Sequence, residues 1–179
     1  MTPAGVPAEA GGPFASPGFW LHRSAQAYLR ALDAALRPLG LTHTQFQVLA
    51  ALTWLTRRGE APSQQQVADV AGIDRMLTSR VLQVLEGRGL LQREGDPRDA
   101  RAKRPVPTAD GSALVSRATA LARAVDEAVF PDAAGLRSAL TEVVATAGDL
   151  AASRGAVGAD EGRPHAPHAE EPGGRGPRS

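Results

Sequence analysis

The feature that most constrains this chain is one continuous run, "SQQQVADVAGIDRMLTSRVLQVLEGRGLLQRE", from Ser63 to Glu94. Its first part reads as a short helix: Ser63 is a natural N-cap, and Val67, Val70 and Ala71 give an apolar side that stops at Gly72. Two residues later Asp74 is placed to cap a second helix, in which Thr78, Val81, Leu82 and Leu85 recur at helical spacing until "EGRG" ends it. "LLQRE" is then extended. Two helices this close, joined by a glycine turn, must cross at a steep angle. The second therefore buries one face and leaves the other outward, with Arg75, Ser79, Arg80 and Gln83 on it.

The flanking segments complete a layout. "LLQRE", the arginine-rich "GDPRDARAKR" and "PVPT" predict two strands joined by a basic loop. Pro105 and Pro107 lack the amide a ladder uses. They share parity, so Val106 and Thr108 can still pair on the other side, leaving a ribbon with one solvent edge. Before the run, a long helix is expected from Phe19 to Leu39, and a second carries Phe46, Leu49, Leu52 and Leu55 behind Thr42. After it, one helix carries Leu114, Ala118, Leu121, Val125 and Val129, and a last one carries Leu136, Leu140, Val143, Val144, Ala147 and Leu150. The fold class is mainly α with a small two- or three-stranded β-wing, a winged helix-turn-helix. Residues 1–17 and 154–179 are rich in Ala, Gly and Pro without periodicity and are expected to be disordered tails.

Charge is distributed to match. The chain carries a formal +1, but residues 75–104 hold eight basic against four acidic groups, and residues 109–153 hold three against six. Lys103 is the single lysine among 20 basic residues. Guanidinium groups suit bidentate contacts to phosphate and guanine, and a GC-rich coding sequence would give the same bias. With no cysteine, thiol chemistry and thiolate metal sites are excluded. His165 and His168 lie in the tail, and no metal or cofactor is expected. No Gly-rich phosphate loop, metal-spaced His and carboxylate pair or nucleophile turn points to an enzyme. The absence of a secretory signal and of any run near the ~20 apolar residues of a membrane span suggests a cytoplasmic protein.

From about Phe19 to Leu150 the chain resembles the MarR family of bacterial transcription regulators. The resemblance is carried by "LRPLGLTHTQFQVLAALTWL", by "VADVAGIDRMLTSRVLQVLEGRGLLQRE" with its "LExRGL" signature, and by "DPRDARAKRPVPTADG" with its D-x-R wing and "TxxG". It implies a homodimer on double-stranded DNA at a palindromic operator. Residues 18–40 and 109–153 would form the helical dimerisation region, and 41–108 the DNA-binding domain. It places Ser79 and Arg80 at recognition-helix contacts, Asp74 and Arg75 at that helix's N-terminal end, and Arg101 in the minor groove. Asp99 would orient the wing, Arg98 and Lys103 would meet phosphates, and Ser63 and Gln83 join the same DNA-facing set. Pro107 departs from the family's usual aliphatic residue.

Two further expectations stay open here. A small aromatic or lipophilic effector is implied between dimer helices and DNA-binding lobe, where Trp20, His22, Arg23, Tyr28, His43 and Trp54 would line a cleft; the same residues also suit plain packing. The alternative function is a winged-helix protein-interaction module that binds no DNA.

Overall fold

The computed structural model describes residues 12–96 and 99–160, with backbone alone at 13, 96, 99–102 and 153–160. Two units make up the chain, one ending at Pro131 and one starting at Asp132. The first unit opens with a 3-10 turn, Gly12–Ala15, and helix α1, Pro17–Leu36. Helix α2 spans His43–Arg57, α3 Gln64–Ala71 and α4 Arg75–Gly87. Strands β1, Leu91–Asp96, and β2, Asp99–Pro107, precede α5, Ala109–Val129. The second unit contains α6, Ala133–Asp160.

The three helix caps expected from the sequence, Thr42, Ser63 and Asp74, all form. Thr42 and Ser63 each form a reciprocal capping box, with Gln45 and Gln66 respectively, and Asp74 accepts from the Leu77 amide at 2.9 Å. The α helix α1 stops at Leu36 because Pro38 forces a 3-10 turn, which Gly40 closes at φ 65°. Gly72 does the same after α3.

The core gathers Leu32 and Leu36 from α1, Val48, Leu49, Leu52 and Leu55 from α2, and Val67 from α3. Val81, Leu82 and Leu85 from α4, Leu90 and Leu91 from the turn into β1, and Val115, Ala118 and Ala122 from α5 complete it. Two stripes differ from the sequence reading. Val70 is 48% exposed, because Val67 and Ala68 are the α3 residues turned inward. On α5 the buried face runs through Gly111, Val115, Ala118 and Ala122, rotated by about 50° from the expected one, with Ala118 common to both.

Described elements reach into both segments expected as tails. Residues 12–17 are ordered by Ser16 capping α1 and by an aromatic cluster: Phe14 meets the Phe19 ring edge-on at 5.2 Å, and Trp20 Nε1 donates to the Phe14 carbonyl. At the other end α6 continues to Asp160. Gly155 and Gly158 each cost a helix only about 1 kcal/mol relative to alanine, too little to end it.

The ribbon is antiparallel, with Leu91 opposite Pro107, Arg93 opposite Pro105 and Glu94 opposite Arg104. Both prolines fall at alternate positions, so the ladder runs through the residues between them. The outer edge is not open to solvent as expected. Pro105 is fully buried and β2 packs on α2.

One junction closes the wing. Gly89 turns the chain at φ 71° after α4, and its carbonyl accepts from the Thr108 hydroxyl at 2.9 Å. The Thr108 amide donates to the Leu90 carbonyl at 3.1 Å, and Thr108 Oγ1 accepts from the Gly111 amide at 3.0 Å. Gly111 lies directly against the Leu90 carbonyl, so a Cβ there would overlap the oxygen. Gly111→Ala is therefore expected to destabilise the fold by about 1–3 kcal/mol, the usual cost of overpacking. Urea denaturation checks it, and an unchanged midpoint would refute the close approach.

Candidate nucleic-acid interface

Helix α4 is held by its apolar side. Thr78, Val81, Leu82 and Leu85 are buried, and its N-terminus is fixed by the Asp74 cap. Arg75, Arg80 and Gln83 point outward and Ser79 is half-buried. Among the described residues none of Arg75, Arg80 and Gln83 has a side-chain hydrogen bond or ion pair. At roughly 20 Å, the 13-residue helix matches the length that can lie along a DNA major groove.

The basic window separates into two groups. Arg88 Nη1 donates to the Gly40 carbonyl at 2.9 Å and to Gln45, tying the end of α4 to the start of α2. Arg93 pairs with Glu86 and Arg104 with Glu94, both at 3.2 Å. Those three arginines serve the fold. The pairs also neutralise two carboxylates that would otherwise repel phosphate. Arg75, Arg80 and Lys103 remain exposed and unpaired among the described residues. Arg98 lies outside the described residues, and Asp99 and Arg101 are placed by backbone alone, at the start of β2. Ser63 and Asp74 are exposed, but both side chains are engaged as caps.

The six residues expected at an effector cleft have separate surroundings. Trp20 belongs to the aromatic cluster at the start of α1. His22 and Arg23 line an open groove along α1 with Phe19, Gln26, Ala27 and Arg30. Tyr28 donates to Asp126 on α5 at 2.9 Å and packs on Phe130. Burial, with the hydrogen bond to Asp126 and its charge, pushes the Tyr28 hydroxyl up to about 12, so it stays a donor at neutral pH. Trp54 is half-exposed beneath the Arg58 guanidinium, 4.7 Å from its ring centre. His43 faces Asp33, whose carboxylate accepts from the His43 amide at 2.7 Å and lies 3.0 Å from Nδ1.

One exposed feature of α4 was given no role by the sequence reading. Met76 is 67% exposed, Leu77 41% and Val84 49%. The signal was available in the spacing, since Met76, Arg80 and Gln83 share the face opposite Thr78 and Leu85.

A short helix, a tight glycine turn, an outward-facing second helix and a basic two-stranded wing together define a winged helix-turn-helix protein. Known proteins agree with this class. The MarR family model matches residues 39–102. An uncharacterised HTH-type transcriptional regulator of Bacillus subtilis, YdcH, is 32% identical over 119 residues, covering 66% of this chain and 81% of YdcH. The chain belongs to the MarR family of transcriptional regulators. Among solved structures, Bordetella bronchiseptica BpsR, studied for regulation of its DNA binding by 6-hydroxynicotinic acid, matches with a TM-score of 0.65. Its identity is 27%, over 78% of this chain and 97% of that one. The repressor CouR bound to a 23-mer DNA duplex matches with a TM-score of 0.64 and 28% identity, over 80% of this chain and 99% of that one. No described helix is long and apolar enough to cross a membrane.

Asp33 gives a pH test of how α1 holds α2. The His43 amide, then the His43 ring and charge and Arg37, keep its carboxyl below the ordinary range, against an opposing effect of partial burial. A depressed folded value means stability present above the unfolded pKa of about 3.9 and lost as pH falls through the folded one. Asp33→Asn is expected to flatten that acid limb. Urea midpoints measured from pH 7 to pH 2 should converge for variant and wild type at the acid end; parallel curves would exclude the mechanism.

Proposed function

We propose that this chain is a homodimeric repressor that binds a palindromic operator in the cytoplasm by laying α4 of each copy in successive major grooves. The observation that carries this reading is the outward, unpaired set Arg75, Arg80 and Gln83 on a helix whose opposite face is locked into the core. Arg75 and Arg80 carry donors for guanine and phosphate, and Gln83 suits adenine. Ser79 adds a hydroxyl beside them. Asp74 and Ser63 act through their caps, which fix the N-terminal ends of α4 and α3. Arg101 is assigned to the minor groove, with Asp99 orienting the wing and Arg98 and Lys103 on phosphates.

The second copy is supplied by apolar surface. Helix α6 exposes Leu140, Val143, Val144 and Leu150, and α1 exposes Leu21, more than surface helices of a monomer normally leave wet. An isologous dimer would bury these and set two copies of α4 about 34 Å apart, one turn of DNA. The effector reading rests on the α1 groove, where His22, Arg23 and Arg30 beside Phe19 suit a small aromatic acid. BpsR, with its 6-hydroxynicotinic acid, is a relative of that kind.

Two measurements test the DNA reading on a duplex selected from a random library by the full-length protein. Arg101→Ala should weaken binding about ten- to hundredfold while the dimer stays folded, since two contacts are lost per dimer. Unchanged affinity at moderate salt would remove Arg101 from the interface. Separately, wild-type affinity should fall steeply with salt, and Lys103→Ala should reduce the log–log slope by about 1.8, one phosphate contact per subunit. A flat wild-type profile would favour a protein-interaction module instead.

A further inference from the structure

We propose that Met76 reads a thymine in each operator half-site through the C5-methyl group, an inference that rests on the DNA-binding reading above. Met76 is the most exposed of the large apolar side chains on α4, at 67%, and sits in the helix's first turn. Spacing places it with Arg80 and Gln83 on the outward face, the face that enters the groove in that reading. Leu77, one residue on, extends the apolar surface to one side.

What lies opposite Met76 follows from chemistry. A thioether chain inserted against a base edge or a phosphate would strip water from donors and acceptors without replacing their hydrogen bonds. On the major-groove edges of the four base pairs the thymine methyl is the only alkyl group, larger than the bare C5–H that cytosine presents there. Against that methyl, Met76 buries carbon on carbon, while Arg80 and Gln83 on the same face keep polar edges for themselves. An unbranched chain with three rotatable bonds can follow the methyl as the DNA flexes, which suits a preference rather than a rigid geometric lock.

Deoxyuridine isolates the methyl, because it differs from thymidine by that group alone. A duplex selected from a random library by full-length wild-type protein is remade with each thymine replaced in turn, and binding is read by fluorescence anisotropy. One position per half-site should weaken wild-type binding about fourfold, the value of one buried methyl-sized group. Met76→Ala should bind the thymine and deoxyuridine duplexes equally, and Met76→Leu should restore part of the difference. Circular dichroism and gel filtration confirm that the exposed substitution leaves the fold intact. A scan in which no thymine matters, or in which Met76→Ala keeps the same sensitivity, overturns the inference while leaving DNA binding in place. If no duplex is selected at all, the DNA reading fails and this inference falls with it.

Discussion

The rest of the first unit depends on the contact between the end of α4 and the start of α5. Within a few ångströms, the Gly89 and Leu90 carbonyls take both donors of Thr108, while Gly111 passes the Leu90 carbonyl with no Cβ between them. Two carbonyls at a helix end would otherwise lack partners, and here they are satisfied by the residue that caps the next helix. The same contact brings the ends of β1 and β2 together at the Leu91 and Pro107 pair. A two-stranded ribbon alone is marginal in water. This one is anchored at its base, so its basic tip can extend without a third strand among the described residues.

Charge is arranged around that anchor by subtraction. A thirty-residue window rich in arginine would attract any anion if all its cations were free. Arg88 instead holds the turn before α2, and Arg93 and Arg104 cancel Glu86 and Glu94 beside the wing. At about 40% exposure those carboxylates are screened, so the pairs contribute little stability. Their effect is on the shape of the surface field: what stays unpaired among the described side chains is Arg75 and Arg80 on the helix and Lys103 on the wing. That is a narrower positive surface than the count of basic residues implies.

Much of this was legible because local chemistry decided it. Ser63, Asp74 and Thr42 are caps whose geometry depends on the next three residues, and the turns at Gly72 and Gly89 need only positive φ. "LExRGL" and "TxxG" were recognisable as a pattern, yet their meeting through Thr108 and Leu90 is a contact across the whole wing. The partners of the arginines were not legible for the same reason: Arg93 finds Glu86 seven residues away and Arg88 finds Gly40 forty-eight away. The aromatic and histidine set was grouped by the segments that the family resemblance places along a cleft. Its members lie against different neighbours because helical spacing alone does not say which helix faces which.

The anchor also links α4, through α5, to α1. Tyr28 ties α1 to α5 through Asp126 and Phe130, and Thr108 ties the other end of α5 to the end of α4. A 21-residue helix is roughly 30 Å long, stiff enough to carry a tilt from one end to the other. Weakening Tyr28's hold would loosen α5 at its α1 end, whereas disturbing Thr108 or Gly111 would detach it from α4. The two lesions act at opposite ends of one continuous helix, so only the second reaches the geometry of the wing and α4.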